Sequence, residues 1–186
     1  FKVKPISAGY QRQYGFEKSS GDLILFIDVD AVAFPDWIEE MEKAFLDENV
    51  NVAVGTVEFK EIPPIIPPAK GKYYMNHCNA AYRRKVLEEF SLDPEQNWDD
   101  KDLGYRVGKK YWIYGVPKAK VYHVGSFQDL LYTEKKFGIA MAKLLKKYHW
   151  HPFWIARWLY NLAIIFFIRR NLKQFFYCIY GLFFGI

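Results

Sequence analysis

The feature that most constrains this chain is a short apolar run that ends in acids. Residues 23–27 read Leu-Ile-Leu-Phe-Ile, and residues 28–30 read Asp-Val-Asp. A continuous apolar run of this length between turn residues predicts a strand buried on both faces, as in a parallel sheet. Helices are predicted on either side of it, over residues 7–20 with Ser7 as the N-cap and over residues 35–48. This order of elements favours an α/β layer architecture.

Further strands and helices are predicted along the next part of the chain. Four prolines between residues 62 and 68 exclude a helix or a central strand there and predict a loop. Hydrophobic residues make up 51% of the 186 residues, which excludes a disordered chain. The remaining pattern predicts strands over 52–57, 111–116 and 120–124, and helices over 84–90 and from Asp99 or Asp100 to about Lys109.

Charge divides the chain into an acidic and a basic part. Residues 1–100 carry 11 basic and 18 acidic side chains, a net charge of −7, whereas residues 101–186 carry 15 and 3, a net charge of +12. Acidic groups can bind a metal, and a basic, aromatic-rich part is typical of a surface that meets phosphates or anionic lipid headgroups. Cys78 and Cys178 match no disulfide or zinc spacing and are predicted to be reduced thiols in a cytoplasmic chain.

The C-terminal third has the pattern of a membrane-associating segment. Residues 129–149 predict a helix with an apolar stripe and many lysines, which fits a membrane-surface element or an ordinary helix packed on the domain. The apolar runs 153–168 and 174–186 are short for spanning helices, so we expect them to lie in the membrane interface. Spanning helices and an oligomer interface are the alternatives. We therefore expect an α/β domain over 1–128 and basic amphipathic and hydrophobic membrane-associating helices over 129–186.

Asp28 and Asp30 are the first candidates for chemistry. Two carboxylates on alternate residues at a strand end can reach one hard cation, and Mg²⁺ or Mn²⁺ usually shares its coordination with substrate phosphates. The carboxyl ends of strands are also where α/β folds bind ligands. The Asp-x-Asp pattern is weak alone, since residues 100–102 repeat it, but its position after a buried strand favours it.

Two later positions add a candidate base and a candidate metal ligand. Asp99, Asp100 and Asp102 follow Trp98 at the start of a predicted helix, where acids can simply complement the helix dipole. Three acids exceed what the dipole needs, so a carboxylate here is also a candidate general base. His123 ends a predicted strand, where a lone histidine is a structural residue by default and a metal ligand as the alternative.

Taken in order, these sites resemble family 2 glycosyltransferases with a GT-A fold. The resemblance covers roughly residues 6–126. It implies a metal-dependent, inverting glycosyltransferase with a sheet flanked by helices. Family members begin with a further strand, helix and strand, and the resemblance implies that this nucleotide-base-binding part is missing from the sequence. The matching segments are Ser7-Ala8-Gly9 with Arg12, Gly21-Asp22, Asp28-Val29-Asp30, Pro35-Asp36-Trp37, Asn79 to Arg84, Asp99 to Leu103 with Arg106, and Pro117 to His123.

The resemblance also implies roles for the residues on the donor side. Asp30 would bind the metal, Mn²⁺ or Mg²⁺, and His123 matches a histidine near that metal. Asp28 would contact the donor, and Arg12 matches an arginine of the donor-side helix. Asp100 matches the second acid of the family's acidic pair and would be the catalytic base.

The acceptor side and the partners follow from the same resemblance. Asn79, Trp98 and Asp99 would shape the acceptor pocket, although Asp99 stands where the family often has the longer Glu. The implied partners are a nucleotide-sugar donor, a UDP- or GDP-sugar, and a glycan or lipid-linked acceptor. Together with the C-terminal pattern, this predicts an enzyme at the cytoplasmic face of the membrane, peripheral or anchored in the interface.

Three other function classes fit parts of the sequence. An inactive sugar-nucleotide or glycan-binding module would share the fold, but the intact acids disfavour it. A phosphohydrolase would use the same carboxylates and cation with water as the nucleophile. A nucleic-acid-binding protein would fit a pI of 9.0, but no motif of that class is present, so we expect no nucleic-acid partner.

Overall fold

The structure, a computed structural model, describes five stretches of the chain: residues 7–60, 63–94, 98–124, 140–149 and 151–163. They divide into two units. The first contains residues 7–60, 63–94 and 99–124, and the second contains Trp98 and residues 140–149 and 151–163. The predicted domain boundary at residue 128 lies outside the described residues.

Among the described residues, one mixed sheet of six strands forms the centre of the first unit. The strands are β1 (Leu23–Ile27), β2 (Ala31–Ala33), β3 (Val52–Phe59), β4 (Lys70–Gly71), β5 (Asn79–Arg83) and β6 (Ile113–His123). Their order is β1–β5–β3–β6–β2, and β4 also pairs with β6. Only β3 and β6 are parallel neighbours, and the other pairs of this sheet are antiparallel. Because β5 is antiparallel to both β1 and β3, the carboxyl ends of β1, β3 and β6 lie at one edge of the sheet.

Helices cover both faces of this sheet. They are α1 (Ala8–Lys18), α2 (Trp37–Ala44), α3 (Arg84–Glu89) and α4 (Asp99–Gly108). One apolar cluster joins α1, α3 and α4 to side chains that include Val54 and Tyr82. A second cluster joins α2 to the opposite face through Ala53 and Ala81. Since successive strand residues point to opposite faces, β3 and β5 contribute to both clusters. The predicted α/β sheet flanked by helices is confirmed.

Within the described residues, the apolar run 23–27 forms a strand antiparallel to β5 that is more buried on one face than on the other, rather than a parallel strand buried on both faces. Within the described chain, β1 pairs with β5 alone. Ile24 and Phe26 are buried, whereas Ile27 is 37% exposed. The prediction was wrong because five apolar residues specify a strand but not the direction of its neighbour, which comes from a distant part of the chain.

Residues 111–116 and 120–124, predicted as two strands, belong to one interrupted strand. In β6, Val116 pairs with Gly55 and Lys120 with the next residue of β3, Thr56. Pro117 lies in the extra segment, where a residue without an N–H does not weaken the ladder. The strands β2 and β5 were not predicted, since one has three residues and the other reads Asn-Ala-Ala-Tyr-Arg, without a β-branched residue.

The predicted helices are largely confirmed. Ser7 caps α1, and its side-chain oxygen accepts a hydrogen bond from Tyr10 N at 3.0 Å. The helix predicted over 35–48 is shorter and spans Trp37–Ala44. The described part of the proline-rich loop contains one isolated bridge, between Ile65 and Val57.

The second unit contains two helical stretches, residues 140–147 and α5 (Pro152–Ala163). Met141 and Leu144 are buried while Lys143 and Lys146 are exposed, so residues 140–147 are amphipathic with their apolar side covered. That finding favours the packed-helix alternative for this stretch. No helix in the described ranges is both long and apolar enough to cross a bilayer. Residues 164–186, which include Cys178, lie outside the described residues.

Candidate functional site

The acids after β1 and the histidine at the end of β6 meet at the carboxyl edge of the sheet. A turn follows β1, in which Ala31 N donates to Asp28 O at 3.0 Å. β2 then pairs with β6 so that Ala31 lies opposite His123, and Val124 N donates to Asp30 O at 2.8 Å. This pairing brings Asp30 Oδ1 within 3.4 Å of His123 Nε2. The tertiary structure thus joins the two residues predicted to lie at the metal.

Arg12 connects the end of β1 to the start of α4. Its Nη1 donates to both carboxylate oxygens of Asp99 at 2.9 Å, and its Nη2 donates to Asp28 Oδ1 at 2.5 Å. Burial alone would lower the pKa of the Arg12 guanidinium, but the charges of Asp99 and Asp28 outweigh it and raise that pKa. Arg12 is therefore a fixed positive charge shared by two acids that lie 71 positions apart in the chain, residues 28 and 99.

Asp99 points into the protein and continues this network. Its Oδ2 lies 2.8 Å from Nδ1 of His77, whose Nε2 lies 2.7 Å from the Tyr82 hydroxyl. The side chains of Asp99 and His77 are both only 2% exposed. Burial raises the pKa of the Asp99 carboxyl, but the hydrogen bond and charge of His77, together with Arg12, overcome this and hold the pKa below its ordinary value. Both Asp99 oxygens are used internally, so the structure gives this side chain an anchoring position rather than one facing an acceptor.

Asp100, the predicted base, is the more accessible acid of the pair. Its side chain is 18% exposed, and Oδ2 lies 2.7 Å from the Lys101 ammonium. Lys101 also donates to Met75 O at 2.5 Å, which ties this lysine to the segment before β5. Asp102 is fully buried and accepts a hydrogen bond from Arg106 Nε at 2.9 Å, so it stabilises α4. Of the three acids, Asp100 is the most exposed, and both of its oxygens accept hydrogen bonds from Lys101, Oδ1 from the backbone N–H and Oδ2 from the ammonium.

Asn79 is fully buried and its amide is saturated within the protein. It accepts a hydrogen bond from Trp37 Nε1 at 2.8 Å and donates to Thr56 O at 2.8 Å and Ala119 O at 2.9 Å. These bonds join α2, β3, β5 and the interruption of β6. The side chain predicted to shape an acceptor pocket is therefore a structural cross-link in this structure. Trp98, the third residue predicted for that pocket, belongs to the second unit.

The side chains at the carboxyl edge fit a divalent cation. Asp30 and His123 offer a carboxylate oxygen and an imidazole nitrogen 3.4 Å apart, close enough for bonds of about 2.0–2.2 Å to one ion. Asp30 is 53% exposed, which leaves the outer side open to water or phosphate oxygens. Asp28 lies on the same edge and has one oxygen engaged by Arg12.

Sequence reasoning missed His77, Cys78 and Lys101. The first two directly precede the Asn79 segment and Lys101 lies inside the acidic segment, so all three are next to or within the motifs. Nothing in the local pattern marks His77 or the contact of Lys101 with Met75 O, because the two partners are 22 and 26 positions apart in sequence.

The family model "Glycosyl transferase family 2" matches residues 7–64, a segment that includes Arg12, Asp28 and Asp30. Asp99, Asp100 and His123 lie beyond the matched segment. No curated protein matches the chain.

Solved structures with a similar fold include a mannosyltransferase and a protein in complex with UDP-GlcNAc. The mannosyltransferase PcManGT from Pyrobaculum calidifontis, in complex with GDP-Man and Mn²⁺, is 12% identical with a TM-score of 0.63, covering 97% of this chain and 55% of its own. S. aureus TarS 1-349 in complex with UDP-GlcNAc is 13% identical with a TM-score of 0.57, covering 98% and 64% respectively. The chain thus spans less than two thirds of the length of either neighbour. Residues 7–64 thus match the model of glycosyl transferase family 2, and the described chain shares the GT-A fold of these neighbours.

Proposed function

We propose that this chain carries the donor-side acids and the base of an inverting glycosyltransferase, which moves a sugar from a nucleotide sugar to an acceptor hydroxyl. One observation carries the proposal. Arg12 bonds both to Asp28, at the end of β1, and to Asp99, at the start of the helix that bears Asp100. The donor-side acid and the base helix are therefore held together by one guanidinium.

The donor side is supported by the residues at the carboxyl edge. Asp28 and Arg12 face the position where an α/β fold binds ligands, and the neighbours with the same fold are complexes with GDP-Man or UDP-GlcNAc. We infer a UDP- or GDP-sugar as the donor. Arg12 holds Asp28 and Asp99 in place at this edge, and a bound divalent cation would supply the positive charge that a diphosphate needs.

Asp30 and His123 would hold the divalent cation, Mn²⁺ or Mg²⁺. When bound, such a cation supplies positive charge against the diphosphate that leaves. PcManGT is a complex with Mn²⁺, which agrees with the oxygen and nitrogen atoms that these two residues offer.

Asp100 would take the proton from the acceptor hydroxyl as that oxygen attacks the anomeric carbon. The acceptor hydroxyl must replace the Lys101 ammonium at Asp100 Oδ2, and that ammonium would keep its existing hydrogen bond to Met75 O. A well-placed base accounts for about 10²–10⁴ in rate. Attack on the face opposite the leaving group inverts the anomeric centre, and no side chain becomes a covalent nucleophile.

We further propose that the acceptor is a glycan or a lipid-linked sugar at the cytoplasmic face of a membrane. The support is the net charge of +12 over residues 101–186 and the exposed apolar side chains of α5, where Leu159 is 54% and Tyr160 65% exposed. Exposed apolar side chains beside basic residues are typical of a surface that lies in the membrane interface.

The test is release of nucleoside diphosphate from a panel of UDP- and GDP-sugars, with Mn²⁺ and a mixture of lipid-linked and glycan acceptors. We expect one donor to turn over, EDTA to stop turnover, and Asp100→Asn to lose about 100-fold or more in kcat while it still binds donor. Asp30→Asn should weaken metal-supported donor binding itself. If no donor turns over or binds to folded protein, the proposed function is wrong.

A non-catalytic sugar-nucleotide-binding module is the second candidate. It is favoured by one observation, the pairing of Asp100 with Lys101 at 2.7 Å. That reading predicts donor binding without turnover, together with equal donor affinity in Asp100→Asn. Turnover that Asp100→Asn abolishes would exclude it.

A further inference from the structure

Three side chains of different chemical type converge at the carboxyl edge of the sheet, and one of them is not used by the proposed reaction. A carboxylate oxygen of Asp28, Cys78 Sγ and a ring nitrogen of His123 all lie within 4.8 Å of one another. Cys78 is buried and forms no disulfide. Asp28 and His123 are half-buried, so the group is closed on the thiol side and open on the other.

The sheet itself produces this convergence. β1 and β5 are antiparallel with Ile27 opposite Asn79, so the residues one step beyond, Asp28 and Cys78, lie next to each other. The pairing of β2 with β6 then brings His123 to the same edge. Separate strand registers therefore fix the three positions, and none of them depends on a long surface loop.

Each of the three positions is held by contacts of its own. Asp28 accepts a hydrogen bond from Arg12, and the Cys78 backbone N–H donates to Asn76 Oδ1 at 3.1 Å. The His123 ring stacks on Phe59 with 5.4 Å between ring centres. Ligands that are ordered in advance lose little conformational freedom when an ion binds. A tetrahedral ion with bonds of about 2.0–2.3 Å needs its ligand atoms less than about 4 Å apart, so small side-chain rotations complete the set.

The donor set distinguishes between two classes of cation. Magnesium and manganese prefer oxygen ligands. Asp30 and His123 offer such an ion one oxygen and one nitrogen, and water or phosphate oxygens would complete its coordination without sulfur. Thiolate, imidazole and carboxylate together are the ligands that zinc and cobalt use. The thiol of Cys78 therefore matters only for a cation that binds sulfur.

We propose that Asp28, Cys78 and His123 form a site for a zinc-class divalent cation, overlapping the position of the cation that Asp30 and His123 would hold. On binding, the metal–sulfur bond replaces the S–H bond, the thiol proton leaves to solvent, and no atom changes oxidation state. Because the two sites share His123, the two classes of ion compete. The inference that zinc inhibits sugar transfer rests on the proposed function, whereas the binding site does not.

Cobalt(II) is the probe, since a thiolate bound to it gives a charge-transfer absorption in the near ultraviolet that oxygen and nitrogen ligands do not give. The full chain, reduced and freed of metal, is titrated with Co²⁺ and then with Zn²⁺. We expect this thiolate-to-cobalt absorption, the sulfur band, in the wild type and in Cys178→Ser, and we expect Zn²⁺ to remove it. The band should be absent in Cys78→Ser and Cys78→Ala. Zinc affinity should fall in both Cys78 variants by at least the roughly 10–100-fold typical of losing an outer contact of a metal site.

Circular dichroism shows whether each variant is folded, and two substitutions at Cys78 guard against a misfolded one. A folded wild type without the sulfur band, or an equal band in Cys78→Ser, overturns the site. In a separate arm, Zn²⁺ is added to the Mn²⁺-supported reaction, with each rate compared with the same variant's rate in Mn²⁺ alone. We expect inhibition to need at least about 10-fold more Zn²⁺ in Cys78→Ser. Absence of any sugar transfer ends the proposed function but leaves the cobalt result intact.

Discussion

At the scale of single residues, Asp99 shows how burial separates the two acids of one motif. Asp99 and Asp100 are neighbours in sequence, yet one is sealed against Arg12 and His77 and the other remains accessible. A buried carboxylate is tolerated only when it is paired and hydrogen-bonded, and Asp99 has both kinds of partner. The shorter Asp99 side chain thus anchors the start of α4, whereas Asp100 is the acid that the proposed function assigns to proton transfer.

His77 is the residue whose loss should reveal this anchor. We expect His77→Leu to destabilise the fold by about 2–3 kcal/mol, because it leaves one Asp99 oxygen and the Tyr82 hydroxyl without this partner in a buried region. Urea unfolding followed by circular dichroism measures the change. Tyr82→Phe is the matched control, since it removes one hydroxyl of the same network and should cost about 1 kcal/mol. Equal losses in the two variants would contradict a special role for the His77–Asp99 contact.

The same network predicts how stability depends on pH. The pKa of Asp99 is lowered in the folded state by His77 and Arg12 against the opposing effect of burial. The ionised Asp99 carboxylate therefore adds to the free energy of unfolding above the ordinary carboxyl pKa of about 3.9. This stabilisation is lost as the pH falls through the lower pKa that Asp99 has in the folded protein. We expect Asp99→Asn to be less stable than the wild type by about 3 kcal/mol at neutral pH. The difference should stay constant down to about pH 5 and narrow at lower pH. If the stability difference between the wild type and Asp99→Asn widened below about pH 5, the predicted direction of the pH dependence would be wrong.

At the scale of elements, α1 places Arg12, and a glycine sets how closely this helix packs. A Cβ at Gly9 would lie 2.2 Å from Asp93 O, a backbone atom that cannot move aside cheaply. A Cβ at Gly15, on the same helix, would meet nothing within 4 Å. The first turn of α1 therefore needs glycine for close approach, whereas Gly15 only lowers helix propensity.

This contrast gives a prediction within one helix. We expect Gly9→Ala to destabilise the protein by about 1–3 kcal/mol through overpacking and to weaken donor binding, because α1 carries Arg12. Gly15→Ala should stabilise it by about 0.5–1 kcal/mol. Thermal unfolding measures the first effect and titration with UDP or GDP the second. If Gly9→Ala is as stable as Gly15→Ala, the close packing of α1 is not as described.

At the scale of the whole molecule, acidic and basic parts of the chain have different tasks in the proposed function. The carboxylates of the first hundred residues would bind the cation and the donor. The basic C-terminal part would meet anionic headgroups, whose attraction is about 1 kcal/mol per lysine or arginine near the surface. In the second unit, the apolar side chains of residues 140–147 are buried. Among the described residues of this unit, the exposed apolar side chains of α5 are therefore the candidates for membrane contact.

Vesicle binding tests this division. We expect the full chain to sediment with vesicles that contain anionic lipid and a chain of residues 1–149 to remain in solution. Leu159→Glu should weaken binding by about 10-fold or more, because it places a charge where an apolar side chain would enter the interface. Ile66→Glu is the matched control, since Ile66 is an exposed apolar residue of the first unit at 64% exposure. Full-strength binding by the shortened chain would contradict the membrane proposal.

Local patterns in the sequence determined the helices and the positions of the acids that follow a strand. The Ser7 cap, the helices and the acids that follow a strand depend on neighbours a few residues away, so their signals are complete within short windows. Those signals predicted the α/β class, and the resemblance carried by the ordered motifs implied that Asp30 and His123 lie near one metal. They also predicted the order of the site residues along the chain.

The tertiary structure alone decided what each side chain faces. It turned Asn79 inward as a cross-link, made Asp99 an anchor, brought Cys78 beside Asp28, and paired β1 antiparallel with β5. Each of these outcomes depends on strand order and register, which join segments tens of residues apart, and a shift of one residue would turn every side chain of a strand to the other face. A short window of sequence does not specify those partners. The sequence therefore identified the acids, and the fold decided which of them is buried and paired and which is exposed.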